Sequence, residues 1–163
     1  MIPAFPGFTR PMHPGEEAAV ADLLDTAFGG SDESQLVEAL RKSGDMAGEM
    51  VLPMGERVIG YYALSPFRAP KGWLCLAPVA IAPDLQGHGH GRRMIGQLAE
   101  WARLTRQYVV VLGQVEFYEK AGFRKDRAAK LTSPYPLEHT LLAGPGEDAP
   151  AQALRYPKPF DGL

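Results

Sequence analysis

The chain has 163 residues, enough for one domain with a sizeable core, and the hydrophobic and charged fractions (45% and 22%) of an ordinary soluble protein. Its formal net charge of −2 argues against general nucleic-acid binding, which needs a basic surface. Its one cysteine, Cys75, excludes an internal disulfide framework and suits a reducing compartment. No apolar stretch approaches membrane-spanning length, and the start of the chain, with Pro3, Pro6 and Pro11, lacks the charged-then-apolar pattern of a signal peptide. The expectation is a cytoplasmic protein with neither a membrane nor a nucleic acid as partner.

Phe8 to Met12 reads as a short first strand bounded by prolines. Pro14-Gly15 leads into a helix from Glu16 to Phe28, where Val20, Leu23, Leu24 and Phe28 recur at helical spacing and acidic residues occupy the first turn. Gly29-Gly30 stops it. Ser31 or Asp32 can cap a second helix, from Glu33 to about Lys42, with Leu36, Val37 and Leu40 inward and Gly44 at its end. Met50 to Pro53 and Val58 to Leu64 read as antiparallel strands joined around Met54-Gly55-Glu56, and Gly72 to Ile81 as a longer strand. Met94, Ile95, Leu98, Trp101 and Ala102 mark the apolar face of a later helix. Tyr108 to Leu112 is a short buried strand, Leu137 to Ala143 a late strand, and Gly144 to Ala151 a Pro/Gly-rich loop. This order predicts an α+β fold around a mixed sheet, in one domain over residues 1–163.

Between the longer strand and the later helix lies the most informative stretch, Gln86-Gly87-His88-Gly89-His90-Gly91-Arg92-Arg93. Glycines at alternate positions leave the backbone bare to a ligand. The amides that open a helix lack partners and favour an anion, so the turn reads as a phosphate or pyrophosphate cradle. It is not a Walker A loop, because Gly91 is followed by Arg92 and Arg93 instead of Lys and Ser or Thr. Nor is it a dinucleotide fingerprint, since Met94 stands where the third glycine would be.

What is left, Gln86-x-x-Gly89-x-Gly91, resembles the Q/R-x-x-G-x-G/A signature of the GNAT superfamily of N-acetyltransferases, which bind the pyrophosphate of acetyl-CoA. A second block agrees. The strand to Leu112 is followed by Gly113-Gln114-Val115-Glu116-Phe117-Tyr118-Glu119-Lys120-Ala121-Gly122-Phe123, similar to that superfamily's strand and short tyrosine-bearing helix closing at Gly-Phe. Gly122 suits a left-handed cap and Phe123 the contact after it. Leu112-Gly113-Gln114 and Tyr156-Pro157-x-x-Phe160 resemble the YhbS-like branch, except that Gln114 replaces its usual acidic residue. The resemblance implies a GNAT fold: a central mixed β-sheet flanked by helices, with the parallel strands ending at Ile81 and Leu112 splayed apart.

It also implies acetyl-CoA as cosubstrate and a small-molecule or peptide amine as acceptor, with direct attack in a ternary complex. Backbone groups of Val79, Ala80 and Ile81 would pair with pantetheine. Gln86, Gly87, His88, Gly89, His90 and Gly91 would hold the pyrophosphate, and Arg92 or Arg93 would add charge beside it. Tyr118 matches the family's tyrosine near the cofactor sulfur; a phenol of pKa about 10 can protonate a departing thiolate. The strand segment Leu74-Cys75-Leu76-Ala77-Pro78 carries no carboxylate to act as base, which leaves Glu33, Glu49 and His139, or water. His88 and His90 lack a third ligand in recognisable spacing, so no metal is expected, and Cys75 reads as a core residue. The acceptor would be met by Phe28 to Leu36, by Ser65-Pro66-Phe67-Arg68 and by the C-terminal tail. A homodimer is compatible with the resemblance, and no sequence feature fixes one. The rival reading is an acyl-CoA-binding regulatory module without catalysis.

Overall fold

The structure, a computed structural model, describes residues 6–162. Its elements are β1 (Arg10–Pro11), α1 (Glu17–Phe28), α2 (Asp32–Ser43), β2 (Gly48–Met54), β3 (Arg57–Pro66), β4 (Leu74–Ile81), α3 (His90–Thr105), β5 (Val109–Leu112), α4 (Val115–Lys120) and β6 (Thr140–Ala143). The strands form one sheet in sequence order, antiparallel at every junction except β4–β5, which is parallel across the α3 crossover. Fold class and mixed sheet are as the sequence predicts. Among the described residues no helix is long and apolar enough to cross a membrane.

The β4–β5 pairing is short. Leu74, Cys75 and Leu76 pair with Val109, Val110 and Val111, and then the strands separate. A bulge accounts for the divergence. Tyr62 pairs with Val79 but Leu64 with Leu76, so Ala77 and Pro78 together oppose Ala63. The extra residue bends β4, and Pro78 has no N–H to offer a ladder. Beyond the bulge, β4 is paired on one side only, to β3.

Strand alternation sorts the side chains onto two faces. Leu76, Val79, Ile81, Val109 and Val111 share one face by register with Tyr62, Leu64 and Gly60. α3 covers that face, since a β-carbon at Gly60 would touch Ile81, Leu52 and the Met94 sulfur. Cys75, Ala80, Val110 and Leu142 look the other way, where Leu36, Leu40, Tyr156 and Phe160 of α2 and the C-terminal tail pack. The tail is strapped down by Arg68 N–H to Arg155 O (2.7 Å) and Arg155 N–H to Ala69 O (2.8 Å).

Several local expectations need correction. The first strand is two residues long, although Met12 N–H still donates to Glu49 O at 2.9 Å. Neither Ser31 nor Asp32 caps α2 through its side chain; Ser31 Oγ instead accepts from Gln35 Nε2 at 2.8 Å. Trp101 is 41% exposed, and Ala99 takes the buried place beside Leu98, because Trp101 falls at the border of the buried arc of α3. Phe28, the last residue of α1, is 45% exposed and is not a core residue. The late strand begins only at Thr140, since Leu137–His139 form a 3-10 turn pinned by Thr140 Oγ1 to Pro136 O at 2.8 Å.

Candidate functional site

A cleft of about 1060 Å³ opens where β4 and β5 part. Its walls take residues from both faces of the sheet. Val79, Ile81, Val111, Phe117 and Tyr118 line it on the α3 side, and Cys75, Leu36, Tyr135, Tyr156 and Phe160 on the α2 side. The cleft therefore passes through the sheet instead of lying on it.

The peptide groups of β4 in this opening follow from one hydrogen bond. Ala82 N–H donates to Ile59 O at 2.8 Å, so alternation turns Ala80 toward β3 as well. Val79 and Ile81 then direct their peptide groups into the gap. Ile81 O already accepts from Gln86 Nε2 at 2.9 Å, which ties the glycine-rich turn to the end of β4. Of the three strand residues expected to pair with a ligand, Ala80 lines the cleft while its peptide groups face Tyr61.

The turn itself runs through a 3-10 segment, Pro83–Leu85, held by Arg57 to Asp84 (2.9 and 2.6 Å). Gly87 and Gly89 have φ of +81° and +83°, a conformation that L side chains rarely adopt, so these two glycines make the turn possible. Gly89 is the N-cap of α3 and no side chain caps that helix, so the amides of His90, Gly91 and Arg92 open it unpaired. Gln86, Gly87, Gly89, His90, Gly91 and Arg92 line the cleft, whereas His88 and Arg93 do not and are exposed. A β-carbon at Gly91 would sit 3.3 Å from both Ile81 and Phe117, so this glycine lets α3 start against the strand. The Nδ1 atom of His90 is buried without a hydrogen-bond partner among the described residues.

Tyr118 lies one turn into α4, 8% exposed, with its ring edge-on to Phe117 (4.9 Å) and Phe123 (5.9 Å). Burial alone pushes its phenol up to about 12, so the hydroxyl keeps its proton at neutral pH. Phe123 N–H donates to Tyr118 O at 3.0 Å, and Gly122 has φ of +107°, the expected helix stop.

The three candidate bases are separated by the fold. Glu49 accepts from Arg41 Nη2 (2.7 Å) and Tyr61 Oη (2.7 Å) and is not part of the cleft. His139 is exposed and outside it. Glu33, at the start of α2, lines it. Cys75 is buried, and burial pushes its thiol up to about 12, which keeps it an unreactive thiol. Ser65 to Arg68 do not line the cleft, although Phe67 packs edge-on against Tyr156 at 4.8 Å. Sequence reasoning missed Tyr135 and Lys120, both of which do line it. Tyr135 stands between prolines in an irregular segment where no periodicity could single it out.

Comparison with known proteins agrees with this geometry. Residues 18–123 match the Acetyltransferase (GNAT) family. The chain belongs to that family and is an N-acetyltransferase. Within it, the uncharacterized N-acetyltransferase YjhQ of Escherichia coli K12 is 33% identical over 133 residues, covering 74% of this chain and 72% of YjhQ. The GNAT fold is shared by YhbS of Escherichia coli, solved in complex with CoA, with a TM-score of 0.85, 24% identity and coverage of 99% of this chain and 93% of YhbS. A GNAT family acetyltransferase from Brucella melitensis, solved in complex with acetyl-CoA, has a TM-score of 0.78 and 26% identity, covering 96% of this chain and 99% of its own.

Proposed function

We propose that this GNAT protein binds acetyl-CoA in the gap between β4 and β5 and transfers the acetyl group directly to an amine. One observation carries the reading: a single cleft joins the uncapped start of α3 to the Tyr118 wall and continues to the far side of the sheet. The pyrophosphate would meet the amides of His90, Gly91 and Arg92, with the helix dipole and the Arg92 side chain adding charge. Pantetheine would take the peptide groups of Val79 and the N–H of Ile81, as an added strand would, while the Ile81 carbonyl stays with Gln86 Nε2. The complexes of the two solved relatives with CoA and acetyl-CoA support the choice of ligand.

The chemistry follows from where the groups stand. The acceptor, having lost one proton to water, attacks the thioester carbonyl carbon with its nitrogen lone pair. The N–C bond forms, the C–S bond breaks, and the sulfur leaves with the electron pair. Tyr118 gives its phenolic proton to that sulfur and is reprotonated from solvent, while the nitrogen releases its second proton to water. No covalent enzyme intermediate is needed.

The test is release of free CoA thiol from acetyl-CoA with a panel of amines, read together with the mass of the acetylated product. An amine-dependent rate above that of hydrolysis is expected. Micromolar acetyl-CoA binding with no release across the panel would favour the non-catalytic acyl-CoA-binding module.

A further inference from the structure

The far mouth of the cleft, on the α2 side, has a composition that the CoA arm does not use. Phe28, Leu36, Tyr135, Tyr156 and Phe160 line it together with one carboxylate, Glu33. Three of the rings, Tyr135 and the tail residues Tyr156 and Phe160, are in contact with one another. Tyr135 and Tyr156 stand perpendicular at 4.8 Å, Tyr156 and Phe160 lie 5.6 Å apart, and Tyr135 Oη donates to Phe160 O at 3.2 Å. The α1–α2 corner that carries Phe28 and Glu33 is braced by Ser34 Oγ to Asp25 Oδ1 at 2.6 Å. Glu33 forms no ion pair among the described residues, and it is the only carboxylate in the lining. The basic side chains there, Arg92 and Lys120, belong to α3 and α4 on the opposite side of the sheet.

We infer that the acceptor this mouth takes is a small primary amine on an aromatic or other apolar body, with Glu33 holding the ammonium. The inference rests on the acetyltransferase reading above. An ammonium is attracted both to a carboxylate and to the faces of aromatic rings, and the apolar body is paid in buried area against Leu36 and the rings. A single carboxylate matches a single charge. The further charges of a polyamine would find no acidic partner in the lining and would face Arg92 and Lys120 across the opening. Glu33 is a binding and positioning residue here: it brings the nitrogen to the cleft and leaves the proton to pass to water.

The test uses the full chain with saturating acetyl-CoA and three acceptors: phenethylamine, spermidine and a lysine-containing tripeptide. Phenethylamine is expected to show a KM at least tenfold below the other two. Glu33→Gln should raise that KM tenfold or more, change kcat less than threefold and leave acetyl-CoA affinity unaltered, and Glu33→Asp should recover part of the loss. Preference for spermidine or the tripeptide, or a phenethylamine KM within twofold of the parent in Glu33→Gln, overturns the assignment. Calorimetry of phenethylamine on the CoA-loaded protein separates the two readings. Binding that is lost in Glu33→Gln, without turnover, would sink the transfer reaction and keep the subsite; binding indifferent to Glu33, or no binding, would sink the subsite whatever the turnover.

Discussion

The backbone of Gly113 lies against the ring of Tyr118 so closely that a β-carbon at 113 would come within 2.6 Å of Cε2. Gly113 is not in a left-handed conformation, so space and not backbone strain requires glycine there. The strand end and the helix are thus locked through one ring, and the hydroxyl is placed by that contact. Gly113→Ala should keep the fold, because a ring can tilt, but move the hydroxyl. A fall of tenfold or more in single-turnover rate is expected, with acetyl-CoA affinity within about threefold of the parent, in line with the cost of small misplacements at reacting centres. An unchanged rate would mean that the ring position does not matter to the chemistry.

Tyr118→Phe keeps the packing against Phe117 and Phe123 and removes the donor. General-acid contributions are about a hundredfold or more, so the single-turnover rate should fall by that order while acetyl-CoA binding is retained. A rate within about twofold of the parent would leave solvent as the acid.

The pH dependence has a definite sign. Burial raises the Tyr118 phenol to about 12, so the protonated acid persists through the whole range in which the acceptor amine, with an ordinary pKa of about 10, loses its proton. The rate should therefore rise with pH and show no decline up to about pH 10.5. A decline with an apparent pKa near 9 in the parent, absent from Tyr118→Phe, would contradict both the burial argument and the acid role.

Most of the fold was legible because the strands and helices carry strong local signals. Val20, Leu23 and Leu24 on α1, and Leu36, Val37 and Leu40 on α2, are buried as their spacing requires. The backbone of the glycine-rich turn was legible for the same reason: Gly87 and Gly89 are needed for it. The far half of the cleft was legible only in part: Phe28, Glu33 and Leu36 and the tail residues Tyr156 and Phe160 line it as the resemblance implied, whereas Ser65 to Arg68 do not and Tyr135 was missed. Phe28 looks like a core residue at helical spacing, yet it faces the opening, since the helix ends there and the apolar surface opposite it is the cleft. Tyr135 and the pairing of Glu49 with Arg41 and Tyr61 depend on contacts between different elements of the fold, which no local periodicity encodes.

At the glycine-rich turn, Gly89→Val tests the proposed ligand contact as well as geometry. A β-carbon at 89 meets no protein atom within 4 Å, so the protein itself leaves room there, while φ of +83° adds strain to the turn. Acetyl-CoA affinity should fall tenfold or more. Gly89→Ala, whose side chain is smaller and unbranched and therefore less strained at this φ, should lose less. Equal losses in the two variants would assign the effect to the loss of glycine and not to side-chain size, and calorimetry measures both.

Ligand selectivity should appear in thermal shifts. Acetyl-CoA binds only the native state in this reading and should raise Tm. ATP with magnesium should raise it much less at equal concentration, because Arg92 and Arg93 stand where a triphosphate loop needs Lys and Ser or Thr. A larger shift with ATP would reverse the ranking of ligands.

Glu49 separates a structural carboxylate from a catalytic one. Its side chain is 11% exposed and accepts from Arg41 and from the buried Tyr61, whose phenol is held well above its ordinary range by burial and by this carboxylate. Glu49→Ala leaves the Arg41 charge and the Tyr61 hydroxyl without their acceptor. Loss of one partner from a buried pair costs about 3–5 kcal/mol, and the 26% exposure of Arg41 lets water recover part of that, so about 2–3 kcal/mol is expected here. For a chain of this size that is a fall in Tm of roughly 5–10 °C. Glu49→Gln retains an acceptor oxygen for one of the two donors and should lose less. Below the melting range both variants should keep acetyl-CoA affinity and turnover within about threefold of the parent. A folded Glu49→Gln protein with turnover down by about a hundredfold and a displaced pH profile would instead make Glu49 the base, acting from outside the cleft through water.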